Sequence, residues 1–267
     1  MKIHVNEIDI FLEVSGEGFP VLLLHGYPLD HSIWEPILPF FSAKSRMIMP
    51  DLRGHGRSDA PDITSTMDLM AEDIAGLMDA LDIKKAIIVG HSMGGYAAIA
   101  LARLFLERVS GIGLVSSHAR ADNVDGRQAR MEAVNQIRLN GLEETARVMP
   151  AKLTNNPELF PFLSGLIRAT NPVGASCAQQ GMAERLDSLD YLSHIKIPSL
   201  VVAGGKDVLI PLEKAKETAE KLPDCRLVVI PSAGHVPMLE NPASTASAIA
   251  DLIERVIIKE RQDYDRD

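Results

Sequence analysis

The chain has 267 residues, with 36 Asp and Glu against 27 Lys and Arg, a formal net charge of −9. Apolar residues make up 46% and charged residues 24%, which excludes a disordered or low-complexity chain. The acidic balance, without clustered Lys and Arg, excludes a nucleic-acid binder, and no run of about 18 apolar residues is present to span a membrane.

Taken in chain order, segments 3–5 and 8–14 read as an antiparallel edge pair. The start carries acids and no apolar core, so no signal peptide is expected. Residues 21–24, 86–89, 200–203 and 227–230 are short, almost wholly apolar runs that end near Gly, Pro or charged turns. Strands buried on both faces of a parallel sheet have this pattern; 47–49 and 112–115 are weaker members of the set. Helical spacing occupies 67–81, 97–106, 212–222 and 245–258. The alternation of strand and helix predicts an α/β domain with right-handed crossovers.

The alternation stops between residues 119 and 196, where helical stretches 128–139, 143–152 and 175–186 are punctuated by Asn155-Asn156-Pro157 and Asn171-Pro172. This predicts a helical insertion into a core made of 1–118 and 197–267. The charged tail, 259–267, is expected to be solvated, frayed helix. Cys177 and Cys225 are the only cysteines; two thiols far apart suit a reducing compartment, and the chain is expected to be cytoplasmic. No Cys/His spacing suggests zinc.

After the run 86–89 comes Gly90-His91-Ser92-Met93-Gly94-Gly95, a G-x-S-x-G pattern between a predicted strand and an Ala-rich helix. A serine at the tip of such a sharp turn exposes its Oγ, and the flanking residues must lack bulk. A serine hydroxyl is a weak nucleophile near neutral pH, so it needs a base and an orienting acid. Asp207, in Gly204-Gly205-Lys206-Asp207, and His235, in Ala233-Gly234-His235, both follow predicted strands, where sites form in open α/β sheets. Asp207 could instead be a turn former, with another acid in its place.

With these residues in hand, the sequence resembles the α/β-hydrolase family. The matching segments are Leu24-His25-Gly26-Tyr27-Pro28, Pro50-Asp51-Leu52-Arg53-Gly54-His55-Gly56-Arg57-Ser58, Gly90 to Gly95, Gly205 to Pro211, and Gly234-His235 through Glu240-Asn241-Pro242. The resemblance implies a mostly parallel eight-stranded sheet flanked by helices, with a helical cap inserted after the sixth strand. It implies Ser92 as nucleophile, His235 as base and Asp207 as its orienting acid. It further implies an oxyanion hole from the backbone N–H groups of Tyr27 and Met93, and no metal or organic cofactor.

Candidate pocket residues are Tyr27, Trp34, Met93, Met149, Phe162 and Met182. His25, Asp51, Arg53, His55 and Arg57 read as a polar network that orders loops. The function expected is hydrolysis of small carboxylic esters through an acyl-enzyme, by a monomer or small homo-oligomer acting on a small molecule. Related chemistries sharing the pattern are 3-oxoadipate enol-lactonase-like lactone hydrolysis, C–C bond hydrolysis and cofactor-free perhydrolysis. A ligand-binding receptor on the same fold is the alternative outside enzymes.

Overall fold

A computed structural model of the chain describes residues 1–41 and 45–264. Eight strands form one sheet: β1 (Lys2–Val5), β2 (Ile8–Ser15), β3 (Phe19–Leu24), β4 (Ser45–Pro50), β5 (Ala86–His91), β6 (Val109–Val115), β7 (Ser199–Gly204) and β8 (Cys225–Ile230). Their order across the sheet is β1-β2-β4-β3-β5-β6-β7-β8. β1 and β2 pair antiparallel, as do β2 and β4, and every other pairing is parallel. β5, β6 and β7 are buried along their whole length, which explains their near-continuous apolar sequences. β8 departs from the expectation. It is an edge strand, only partly buried, with Val229 37% exposed.

The helices are α1 (Met67–Ala80), α2 (Met93–Leu104), α3 (Val124–Asn140), α4 (Glu143–Val148), α5 (Pro150–Leu153), α6 (Phe160–Ala169), α7 (Pro172–Glu184), α8 (Leu212–Lys221), α9 (Pro237–Glu240) and α10 (Pro242–Tyr264). Two ten-residue elements have no counterpart in the sequence reading. One is α6. The other is a 3₁₀ segment, His31–Phe40, started by the Asp30 side chain accepting from Ser32 N–H and interrupted by Pro36 and Pro39, which remove backbone donors. Thr66 caps α1 by accepting from Leu69 N–H, and Asn123 caps α3 by accepting from Gly126 N–H, each satisfying an orphan donor of a first turn.

α1 and α2 pack on one another, α2 lies against β5 and β6, and α10 crosses β5, β6 and β7. Gly111 on β6 lets α10 close in, since a Cβ there would lie 2.6 Å from Val256 Cγ2. The charged tail is less free than expected. Helix α10 continues to Tyr264, with Glu260 accepting from Ser110 and Lys259 donating to Lys196 O; residues 265–267 lie outside the described residues. Both cysteines are free. No helix among the described residues is long and apolar enough to cross a membrane.

Helices α3 to α7 lie between β6 and β7 in the chain, with α3 packed on α7. At two places α7 meets the core backbone on backbone. A Cβ on Gly174 would lie 2.1 Å from Gly54 O, and one on Gly181 would lie 1.8 Å from Ser65 O. Nothing flexible stands at either place to give way. Gly181→Ala is therefore expected to lower the urea unfolding free energy by about 1–3 kcal/mol, as overpacking does; an unchanged midpoint would contradict this close docking.

Candidate active site

Ser92 joins the end of β5 to the start of α2, at φ 50° and ψ −112°. A non-glycine residue there carries backbone strain of about 1–3 kcal/mol and persists only where its surroundings over-determine it. They do so here. Ser92 N–H donates to Val115 O at 2.9 Å, and Ser92 O accepts from Gly95 N–H at 2.9 Å and from Ser117 Oγ at 2.8 Å. The turn also sits where bulk cannot. A Cβ on Gly94 would lie 2.4 Å from Leu24 O, and one on Gly26 would lie 2.5 Å from His91 Nδ1 and 3.1 Å from Ser92 Cβ. The loop after β3 is thereby held against the serine.

His235 and Asp207 come from the loops after β8 and β7. His235 Nδ1 is 2.8 Å from Asp207 Oδ2, with both side chains almost fully buried. The other carboxylate oxygen accepts from Leu209 N–H at 2.8 Å and Ile210 N–H at 2.9 Å. Burial alone would raise the Asp207 carboxyl. The hydrogen bond and charge of His235, with these backbone donors, outweigh it and hold the group below its ordinary range. An ionised Asp207 fixes the proton of His235 on Nδ1 and leaves Nε2 as an acceptor.

The His235 loop is tied at four points. Its own N–H donates to Leu153 O at 2.8 Å, and its carbonyl accepts from His91 Nε2 at 2.8 Å. Glu240 accepts from Gly234 N–H at 2.7 Å and from Thr154 Oγ1 at 2.6 Å. The opposite loop is tied similarly: Leu52 N–H donates to His25 Nε2 at 2.8 Å, and His25 Nδ1 donates to Gly26 O at 2.9 Å. Tyr27–Pro28 is a cis peptide bond, and Thr170 Oγ1 donates to Pro28 O at 3.0 Å.

Asp51 and its neighbours order the adjoining loop. The Asp51 carboxylate accepts from His31 N–H and Nδ1 and from Arg57 N–H, at 2.7–2.9 Å. Arg53 and Asp73 form a buried two-pronged pair. His31 also lies within ligand distance of Asp30, Glu13 and Glu35. These are donor types a cation would accept, but the Nδ1 and the Asp51 carboxylate are already engaged with each other.

Ser92 and His235 open into one cavity of about 180 Å³. Its wall is completed from the helical excursion by Arg130, Met149, Gln179 and Met182, and from the core by Tyr27 and Tyr96. Of the candidate pocket residues, Tyr27, Met149 and Met182 line it. Trp34 does not: it is fully buried, its ring edge-on to His91 with centroids 6.5 Å apart. Phe162 does not either. On α6 the buried stripe is Leu163 and Ile167, four residues apart, which turns Phe162 outward, 40% exposed. The Met93 side chain is fully buried, and its N–H belongs to the first turn of α2 beside Ser92. Sequence reasoning missed Arg130 and Gln179, because it looked to the excursion for apolar side chains only, and it also missed Tyr96, Leu209 and Ile210 in the core.

The chain belongs to the alpha/beta hydrolase fold family, whose pattern matches residues 20–242. A thermophilic esterase from Thermogutta terrifontis, solved with malate bound, is 36% identical, superposes with a TM-score of 0.92, and is covered over 98% of its length by 96% of this chain. The dihydrolipoyllysine-residue acetyltransferase component of an acetoin cleaving system from Pseudomonas putida is 32% identical over 86% of this chain, which spans only 62% of that relative's length. 3-Oxoadipate enol-lactonase 2 from Acinetobacter baylyi is 28% identical, over 84% of each chain.

Burial pushes His55 and His91 down to about 3, with nearby rings His25 and His235 adding to it. Burial, with the charges of Lys214 and Arg185, does the same to His118. In the unfolded chain these rings titrate near 6.5. Below that pH the unfolded chain binds more protons than the folded one, so stability falls as pH falls from about 6.5 toward 3. The urea midpoint is expected to drop from pH 7 to pH 5, with unfolding taking up as many as three protons from these rings. A midpoint flat across that interval would count against neutral buried rings.

Proposed function

We propose that this chain is a serine hydrolase of small carboxylic esters. The observation that carries the reading is the buried 2.8 Å hydrogen bond from His235 to Asp207 beside a cavity that Ser92 shares. Ser92 Oγ attacks the ester carbonyl while His235 Nε2 takes its proton. The carbonyl oxygen becomes an oxyanion and is held by the N–H groups of Tyr27 and Met93. Collapse expels the alcohol, which receives the proton from His235, and leaves an acyl group on Ser92. His235 then draws a proton from water, which attacks the acyl carbon; the bond to Ser92 Oγ breaks, His235 returns the proton to that oxygen, and the acid is released. Preorganised donors aimed at the oxyanion are usually the largest single contribution to such a reaction. Asp207 keeps His235 in the right tautomer and stabilises the imidazolium that forms.

In this reading residues 119–196 are a cap over a core of 1–118 and 197–267, and the cap sets the size of the acyl group. Similarity to the T. terrifontis esterase supports ester hydrolysis. Similarity to the enol-lactonase favours a second reading, opening of a small lactone by the same attack.

With 4-nitrophenyl acetate, Ser92→Ala is expected to lower kcat by about 10⁴ or more, and Asp207→Asn by roughly 10⁴. A fluorophosphonate should add to the wild type and not to Ser92→Ala by intact mass. Wild-type turnover by Ser92→Ala would end the proposal. The small cavity further predicts that acetate and butyrate esters are cleaved with higher kcat/KM than the decanoate; a rate rising steadily with chain length would contradict this.

A further inference from the structure

The wall of the cavity facing Ser92 offers hydrogen-bond donors and no carboxylate. Arg130, on α3, is 22% exposed. Its Nε donates to Asp122 and its Nη1 to Gln179 Oε1 at 2.9 Å, while Nη2 has no hydrogen bond among the described residues. With its oxygen turned to Arg130, Gln179 has an amide N–H₂ to give. Tyr27 Oη is buried within reach of Gln179 but satisfies hydrogen-bond geometry with no described residue. Burial pushes that hydroxyl up to about 12, so it is a donor throughout the neutral range.

Tyr96 adds a fourth donor. His118 Nδ1 accepts from Arg120 N–H at 3.2 Å, so the neutral ring carries its proton on Nε2. That proton points to Tyr96 Oη, 3.4 Å away, which leaves the Tyr96 proton free of His118, on a residue that borders the Ser92 cavity.

The wall is also short of negative charge. Asp122 is the carboxylate paired with Arg130, and both its oxygens are taken by Arg185 at 2.7–2.8 Å. Arg185 lies behind the wall, stacked on the Tyr96 ring at 4.3 Å. Despite burial, the two guanidiniums hold Asp122 ionised, at about 2. Two fixed cations thus share one anion, and Arg130 is the cation that reaches the cavity. Such an excess of charge at the cavity wall is best met by an acceptor that is itself anionic.

We propose that Arg130, Gln179 and the hydroxyls of Tyr27 and Tyr96 form a carboxylate subsite, which selects small esters or lactones bearing a free carboxylate on the acyl part. In about 180 Å³ the bound carboxylate and the scissile carbonyl are separated by only a few bonds, as in a half-ester of a short dicarboxylic acid. This rests on the hydrolase reading for its chemistry but on the wall alone for binding.

Two esters of matched length test it, monomethyl succinate and methyl pentanoate, with methanol release as the readout. The wild type should favour monomethyl succinate in kcat/KM by about tenfold or more, and Arg130→Gln should erase most of that ratio through KM, Arg130→Lys keeping part of it. A wild-type ratio near or below one, or the same ratio in Arg130→Gln, overturns the proposal. Calorimetry of succinate on Ser92→Ala reads the subsite without turnover. Binding to that variant, lost when Arg130→Gln is added, supports the subsite even if neither ester is cleaved, in which case the hydrolase reading alone fails. No succinate binding to a folded Ser92→Ala chain overturns the subsite even where neutral esters are cleaved.

Discussion

The arrangement depends on one backbone constraint: a serine held at positive φ between a fully buried strand and a helix. The strain at Ser92 would relax if the turn could widen. It cannot, because Gly94 lies against the carbonyls that end β3, and Gly26 lies against His91 and the Ser92 Cβ. The hydroxyl is therefore presented at the rim of the sheet by packing rather than by a hydrogen bond of its own. The same crowding brings the loop after β3 against the first turn of α2. The proposed oxyanion hole and the proposed nucleophile share one origin.

Much of this was legible in the sequence because it is local. The buried strands announce themselves as apolar runs, and Gly90 to Gly95 needs only its immediate neighbours to be read. Asp207 and His235 could be found because each follows a strand directly. What escaped is what depends on distant partners. β8 has the composition of a central strand but lies at the edge, and only the pairing order decides that. Trp34 has the composition of a pocket aromatic yet packs on a histidine nearly sixty residues away in the chain. α6 begins with Phe160-Pro161-Phe162 straight after a turn-rich stretch, so its periodicity is too short to register before the helix is seen. Arg130 carries no local signal: an arginine on a polar helix looks solvated until α7 brings Gln179 to it.

The helical excursion is more than a cover. Leu153 O accepts from His235 N–H, Thr154 shares Glu240 with Gly234, and Thr170 holds Pro28. The two loops that flank Ser92 are thus each steadied by the excursion as well as by the core. Any movement of α5 against the sheet is transmitted to the imidazole through a single carbonyl, with no side chain in between. The groups that shape the cavity and the groups that hold His235 belong to one hydrogen-bonded body.

The excursion leaves after β6 and returns at β7, and these strands are ladder neighbours, Ile112 opposite Ser199. Departure after Val115 and re-entry at Ser199 are therefore fixed on neighbouring parallel strands, at opposite ends of their shared ladder. The sheet and the three residues proposed for the chemistry form a socket, and the intervening helices are a part inserted into it as a unit. Exchanging that part has one compound condition: the new part must bring a carbonyl to His235 N–H, a donor to Glu240 and a donor to Pro28 O. A lineage that meets it can replace its whole recognition surface in one event without reopening the folding of the sheet.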